Sequence, residues 1–314
     1  MSLLVIGSVA FDDIQTPYGH AEKIVGGAGT FIAWSASYFA HDIRMVSIVG
    51  EDFPLSELEA LKERGVDTSG IKIVEGGKSF FWAGRYFNNL NSRETLVTDL
   101  NVLADFDPVL PPHFRDSEYV MLGNLTPSIQ LKVIQQMAHR PKVIALDTMN
   151  YWMDSAMDEL LEVLTKIDLL IINDEEARQL SGEYSLLKAS EVISKMGPKY
   201  LVIKKGEHGA LLFGEGRVFF SPALLLTEVI DPTGAGDTFA GGLMGYLAGQ
   251  KELDFEILKQ AITCGSAMAS FCVEKFGTEG LRHISQEELS ERVERFAHMV
   301  QFQVPGWEKK IETS

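Results

Sequence analysis

Cysteine is nearly absent. Cys264 and Cys272 are the only two in 314 residues. Their spacing fits no metal motif and both fall in an apolar, small-residue stretch, so buried reduced thiols are expected and a disulfide framework is excluded. Positive charge is also scarce, with 28 Lys and Arg against 44 Asp and Glu, a net −16. That balance argues against nonspecific binding to nucleic acid or an anionic membrane, and an anionic substrate would need a local basic site. No apolar run approaches the roughly 18 residues of a membrane span. The N-terminus lacks a basic region and its apolar run is cut at Asp12 and Asp13, so no signal peptide is predicted and a cytoplasmic enzyme is expected. Apolar residues are plentiful, at 46%, enough for one large domain and a smaller part.

Short apolar runs recur along the chain at Leu3–Ile6, Met45–Val49, Tyr119–Leu122, Val143–Leu146, Leu169–Ile172, Tyr200–Ile203 and Ala210–Phe213. They read as buried strands of a parallel sheet. Helix-like stretches separate many of them: 30–39, 54–63, 128–138, 153–165, 174–180 and 187–196. This alternation predicts an α/β domain with helices on both faces. Residues 14–25 and 71–100 break the rhythm with β-like runs and the aromatics Phe80, Phe81, Trp82, Tyr86 and Phe87. They predict a β-flap, either a lid that excludes water or an extension for dimer contacts. The predicted division is therefore 1–13, 26–70 and 101–314 for the α/β domain and 14–25 with 71–100 for the lid.

The most informative stretch is Asp231-Pro-Thr-Gly-Ala-Gly-Asp237, which follows an apolar run and leads into a helix-like segment. Its glycines let backbone N–H groups approach one point, and those groups would sit at a helix N-terminus, where anions are favoured. Asp237 at the mouth of an anion site suits a base that takes a proton from a hydroxyl attacking phosphorus. This combination points to phosphoryl transfer.

Three further segments join it. Asp12 follows the first strand and is placed to accept bonds from substrate hydroxyls; the alternative is a solvated turn acid. Gly26-Gly27-Ala28-Gly29 opens a helix, and Gly50-Glu51-Asp52 closes the next strand. Asn173 and Glu176 follow a strand and are placed for phosphate oxygens and a hydrated Mg²⁺; the alternative is that Asp174, Glu175 and Glu176 simply favour a first helical turn. No G-x-x-x-x-G-K-[ST], H-E-x-x-H or G-x-S-x-G motif occurs, and no dinucleotide fingerprint follows the first strand.

Together these segments resemble the PfkB-type carbohydrate kinases of the ribokinase-like superfamily, from Leu3 to about His283. The resemblance implies a three-layer αβα domain with a mostly parallel sheet and a small β-sheet lid. It implies transfer of the ATP γ-phosphate to a sugar-like hydroxyl with Mg²⁺. On this basis Asp237 is the base, and Gly234, Ala235 and Gly236 form the anion hole. Asp12, Gly26 and Gly27 contact the acceptor. Asn173, Lys205, Gly206 and Gly209 serve the nucleotide, and Glu176 serves Mg²⁺ through water. Asp231 and Thr233, with the backbone near Cys272, Lys275 and Gly277, match where some members hold a monovalent cation such as K⁺.

The chain departs from the family at Phe31, where an acceptor-binding Asn is usual, and at Ala28, where ribokinases carry Lys. Both changes argue against a strict ribokinase. Phe31 either packs its helix or flanks an apolar ligand moiety. Asn124 and Arg85 are further specificity candidates, with Arg85 either meeting an anionic group or solvated. The first expectation is a sugar or sugar-acid acceptor; the alternative is a nucleoside. Exposed lid edges leave room for a homodimer.

Overall fold

The computed structural model describes residues 1–301. Its strands are β1 (Ser2–Ile6), β2 (Ala10–Thr16), β3 (Gly19–Gly26), β4 (Asp42–Gly50), β5 (Val66–Val74), β6 (Phe80–Tyr86), β7 (Arg93–Asp99), β8 (Tyr119–Leu122), β9 (Val143–Asp147), β10 (Leu169–Asn173), β11 (Tyr200–Lys204), β12 (Ala210–Gly214) and β13 (Arg217–Ser221). Its helices are α1 (Ala28–Ala36), α2 (Leu55–Glu63), α3 (Pro127–Gln136), α4 (Asn150–Ser155), α5 (Met157–Leu164), α6 (Asp174–Ser181), α7 (Leu186–Ile193), α8 (Ala235–Ala248), α9 (Phe255–Cys272) and α10 (Gln286–Val300).

Nine strands form the central sheet in the order β13-β12-β11-β10-β9-β8-β1-β4-β5. β1, β8 and β9 are buried at every position, as expected where helices cover both faces. One core joins the sheet to α1, α2, α8, α9 and α10, and the other joins it to α3 through α7. The result is the expected three-layer α/β arrangement.

Several local features differ from the expectation. Ala210–Phe213 runs antiparallel to β11, because the short Lys205–Gly209 turn cannot carry a crossover between parallel strands. The edge strand β13 was not anticipated; it pairs antiparallel with β12. The expected helix 153–165 is split into α4 and α5 at Ala156, which has φ −149° and ψ 41°. The apolar run at 224–230 forms no strand, and Leu225 in it is 77% exposed.

The second sheet has the order β3-β2-β6-β7. β2 and β6 are parallel and the other two pairs antiparallel. β5, including residues 71–74, lies in the central sheet, and β2 begins at Ala10 in the small one. Asp52 ties the small sheet's root to the domain, its Oδ1 accepting from Ser79 N–H at 2.8 Å and Ser79 Oγ–H at 2.7 Å.

Candidate active site

Ser8, Asn124, Asp147, Asn173 and Lys204 all lie at or just past the C-terminal ends of parallel strands, the edge where open α/β sheets gather ligand-binding groups. The glycine turn meets this edge at the start of α8. Gly234 caps the helix with φ 74° and ψ 0°, a left-handed conformation that a β-carbon disfavours. The Phe31 ring lies against it, and a methyl on Gly234 would fall 2.4 Å from that ring. Phe31 is 1% exposed within the core, a packing position beneath the turn.

The Ala235 N–H bonds to Pro232 O at 3.2 Å. Among the described residues, the Gly234 and Gly236 N–H groups have no backbone partner. They remain available to an anion at the positive end of α8. Asp237 is the third residue of α8. Burial pushes its carboxyl up to about 7; Asp147 adds to the rise, while Lys204 and Arg93 oppose it. A carboxyl poised near neutrality is suited to general base work.

Asp12, in β2, is 4% exposed. Burial pushes it up to about 8, with Asp231 and Asp237 adding to the rise and the Gly27 backbone bond opposing it. Its Oδ2 occupies the space where a Gly26 side chain would begin, 1.9 Å from an ideal Cβ. Gly27 turns the chain into α1 with φ 92°.

Asp231 is fully buried. Its Oδ1 accepts from Thr233 N–H at 2.8 Å and its Oδ2 from Gly277 N–H at 3.1 Å. Burial raises its pKa and these bonds oppose the rise. Thr233 Oγ1 donates to Tyr86 Oη at 3.1 Å, so the small sheet touches the turn. Cys272 Sγ lies 3.6 Å from Thr233 O, and Lys275 N–H donates to Cys272 O at 3.4 Å. Burial pushes both thiols up to about 12, which keeps them inert.

Asn173 and Glu176 form a capping box on α6. Glu176 N–H donates to Asn173 Oδ1 at 2.8 Å, and Asn173 N–H donates to Glu176 Oε2 at 2.7 Å. This satisfies two helix-end donors and leaves Glu176 Oε1 for another partner. Burial pushes Glu176 up to about 7, opposed chiefly by Lys204. As a hard oxygen donor in the field of Lys204 and Asp147, its carboxylate fits a hydrated Mg²⁺.

A cavity of about 360 Å³ adjoins the turn. Gly206, Gly209, Ala235 and Gly236 line it together with Asn89 and Asn91 of the β6–β7 turn. Asn91 Nδ2 donates to Glu207 Oε1, a second lining residue, at 3.4 Å. Its size suits a small ligand.

The structure does not bring every candidate here. Lys205 does not line the cavity; Lys204 does, with Nζ 3.1 Å from Asp147 Oδ1. β11 ends at Lys204 and Lys205 already belongs to the loop that follows, a one-residue boundary that the sequence does not resolve. Arg85 is exposed and donates to Gln15 Oε1 at 3.1 Å, one residue away from the Tyr86 side chain that faces the turn. The small sheet's cation acting on Asp237 is Arg93, paired with Tyr86 across the strands and 5.7 Å from the Trp82 ring. Asn124 is held by Trp152, whose Nε1–H donates to Asn124 Oδ1 at 2.8 Å. Lys204, Asp147 and Arg93 were missed; the signal for the first two was a charged residue ending a buried strand.

Residues 2–283 match the model of the pfkB family carbohydrate kinases. The chain is 28% identical over 283 residues to a cytidine kinase of Thermococcus kodakarensis, an alignment covering 88% of this chain and 98% of the relative. It is 25% identical over 314 residues to a ribokinase of Haemophilus influenzae, covering 92% and 97%. The crystal structure of Methanocaldococcus jannaschii nucleoside kinase, an archaeal member of the ribokinase family, superposes with a TM-score of 0.74 at 21% identity over 94% of this chain and 99% of that one. No helix among the described residues is long and apolar enough to cross a membrane. The chain belongs to the pfkB family of carbohydrate kinases, and is a phosphotransferase with an alcohol group as acceptor.

Proposed function

We propose that this protein is an ATP-dependent nucleoside kinase. The observation that carries the kinase chemistry is Asp237 at the N-terminus of α8, beside N–H groups that have no backbone partner among the described residues. In the step, Asp237 takes the acceptor hydroxyl proton. The acceptor oxygen forms a bond to the γ-phosphorus, the bond from that phosphorus to the β-bridging oxygen breaks, and ADP leaves. The Gly234–Gly236 turn stabilises charge on the migrating group. Asp12 and the Gly26–Gly27 turn hold acceptor hydroxyls. Gly206 and Gly209 shape the nucleotide side beside Asn173. Mg²⁺, held through Glu176, supplies neutralisation of phosphate charge when bound.

The nucleoside acceptor is favoured over a free sugar by the aromatic and amide groups near the acceptor end. Trp82 lies on the lid, and Trp152 fixes Asn124 past β8 with the exposed Tyr151 ring edge-on at 4.8 Å. Planar bases gain from such surfaces. The similarity to a cytidine kinase supports this choice. An ADP-release assay over nucleosides, pentoses, hexoses and keto-deoxy acids tests it. The expected result is a higher kcat/KM for a nucleoside than for free ribose, and the reverse ranking refutes the acceptor assignment.

Two finer features belong to the same reading. Asp231, Thr233 and the backbone at Cys272, Lys275 and Gly277 hold K⁺, so turnover falls in K⁺-free buffer; an unchanged rate removes this site. The small sheet joins two copies through exposed β7, which carries Leu96 and Val97, and light scattering on the full chain reads a dimer if this is right.

A further inference from the structure

We propose that Lys204 is a phosphate-binding catalytic residue, held ready by Asp147 and transferred to the phosphoryl oxygens of ATP when the nucleotide binds. This rests on the kinase reading above and assigns a task to a residue outside the glycine turn.

The geometry supports it in three ways. Lys204 ends β11 beside Asn173 of β10, with its side chain largely buried and Nζ 3.1 Å from Asp147 Oδ1. An ammonium has three donors, and among the described residues Asp147 is the one hydrogen-bond partner of this one. Lys204 lines the cavity together with Gly236, which leaves the remaining donors, among the described residues, without a protein partner beside it. Gly236 is bare on that side: a methyl there would lie 3.0 Å from Nζ. The ammonium thus lies beside the turn whose Gly234 and Gly236 N–H groups have no backbone partner among the described residues.

Charge arithmetic argues the same way. Asp147, Glu176 and Asp237 contribute three carboxylates around Lys204. Triphosphate added to this acidic neighbourhood needs a cation, and the chain has no P-loop lysine to supply one. Burial alone would favour loss of the Lys204 proton, but Asp147, Glu176 and Asp237 outweigh it and raise the pKa. The side chain stays charged at working pH. A purely structural ion pair would neutralise Asp147 equally well without facing the cavity.

The test uses Lys204→Met, Lys204→Arg and the double variant Lys204→Met/Asp147→Asn, which removes the carboxylate left unpaired by the first change. Thermal melts confirm folding. Turnover is measured by ADP release, and ATP and AMP affinities by calorimetry without acceptor. We expect turnover to fall by about 10²–10³-fold in both Met variants, the range for losing one preorganised charge-stabilising donor, with partial rescue by Arg. ATP affinity falls toward that of AMP, while AMP affinity is unchanged. Wild-type turnover in the double variant, or an unchanged preference for ATP over AMP in Lys204→Met, overturns the proposal. If the unaltered protein phosphorylates no acceptor on the panel yet prefers ATP to AMP through Lys204, the phosphate role stands and the acceptor reading falls.

Discussion

Replacing Asp12 by Asn should make the protein more stable and less active, with the stability gain dependent on pH. Asp12 is 4% exposed, and burial, then Asp231 and Asp237, push its carboxyl from the ordinary 3.8 to about 8. A carboxyl with a raised folded pKa binds more protons in the folded state, so folding weakens as pH rises across that interval. Asn retains a hydrogen-bond acceptor for Gly27 and carries no charge, so it removes this penalty. The interval from 3.8 to about 8 sets a ceiling of about 6 kcal/mol at ~1.36 kcal/mol per pH unit. Water entering the cleft relaxes a buried charge, and about one third of the ceiling, ~2 kcal/mol, is the expected gain near pH 8. With an unfolding entropy of ~2.1 cal/mol/K per residue, that corresponds to a Tm increase of about 3 °C. The assay is differential scanning fluorimetry of both proteins from pH 5 to 9 without ligands, together with acceptor KM. The difference in Tm should grow up to about pH 8 and then level off, while acceptor binding weakens. A variant that is less stable than the original, or a Tm difference independent of pH, refutes the argument that Asp12 is held at an energetic cost for its ligand.

The other predictions concern the turn and its supports. Asp237→Asn should fold normally and lose at least about 10²-fold in turnover, the lower end of what a positioned base supplies; near-original kcat would sink the base assignment. In the unaltered enzyme, kcat/KM should rise with pH through about 7, because the base works deprotonated, and a flat profile from pH 5.5 to 8.5 would count against it. Phe31→Ala removes the buried ring under Gly234 and should cost about 3–5 kcal/mol, read as a lower midpoint in urea unfolding. Trp152→Phe removes the Nε1–H bond to Asn124 and should raise KM for a nucleoside while sparing free ribose; equal effects on both would detach this pair from base recognition.

Parts of this architecture were legible because they depend on local chemistry. Continuous apolar runs marked the buried strands, and Asp231–Asp237 marked an anion turn since few purposes place two glycines and an acid at a helix start. What remained hidden depends on partners distant in sequence. Ala210–Phe213 looks like its neighbours, and only the length of the loop before it dictates an antiparallel course. The sequence places Asn173 and Glu176 as ligand groups, with Glu176 alternatively a first-turn acid, and the capping box shows that one carboxylate oxygen is already spent on the helix. Phe31 looked like a possible ligand wall until its ring was found against Gly234, 203 positions away in the chain (234 − 31).

Lys204 and Lys205 sharpen the point. The two adjacent lysines are equivalent in composition, but β11 ends at Lys204. Lys204 meets Asp147 and adjoins the glycine turn, while Lys205 starts the loop. Within β6, where successive side chains go to opposite sides, Tyr86 meets Thr233 and Arg85 meets Gln15. In both cases the residue type announced a cation or a polar contact near the site, and one residue's shift along the strand decided which neighbour reached it. Substituting Lys205→Met should therefore leave ATP turnover close to that of the unaltered enzyme under conditions where Lys204→Met loses about 10²-fold; comparable losses in both would mean that the end of β11 does not select the phosphate-binding lysine.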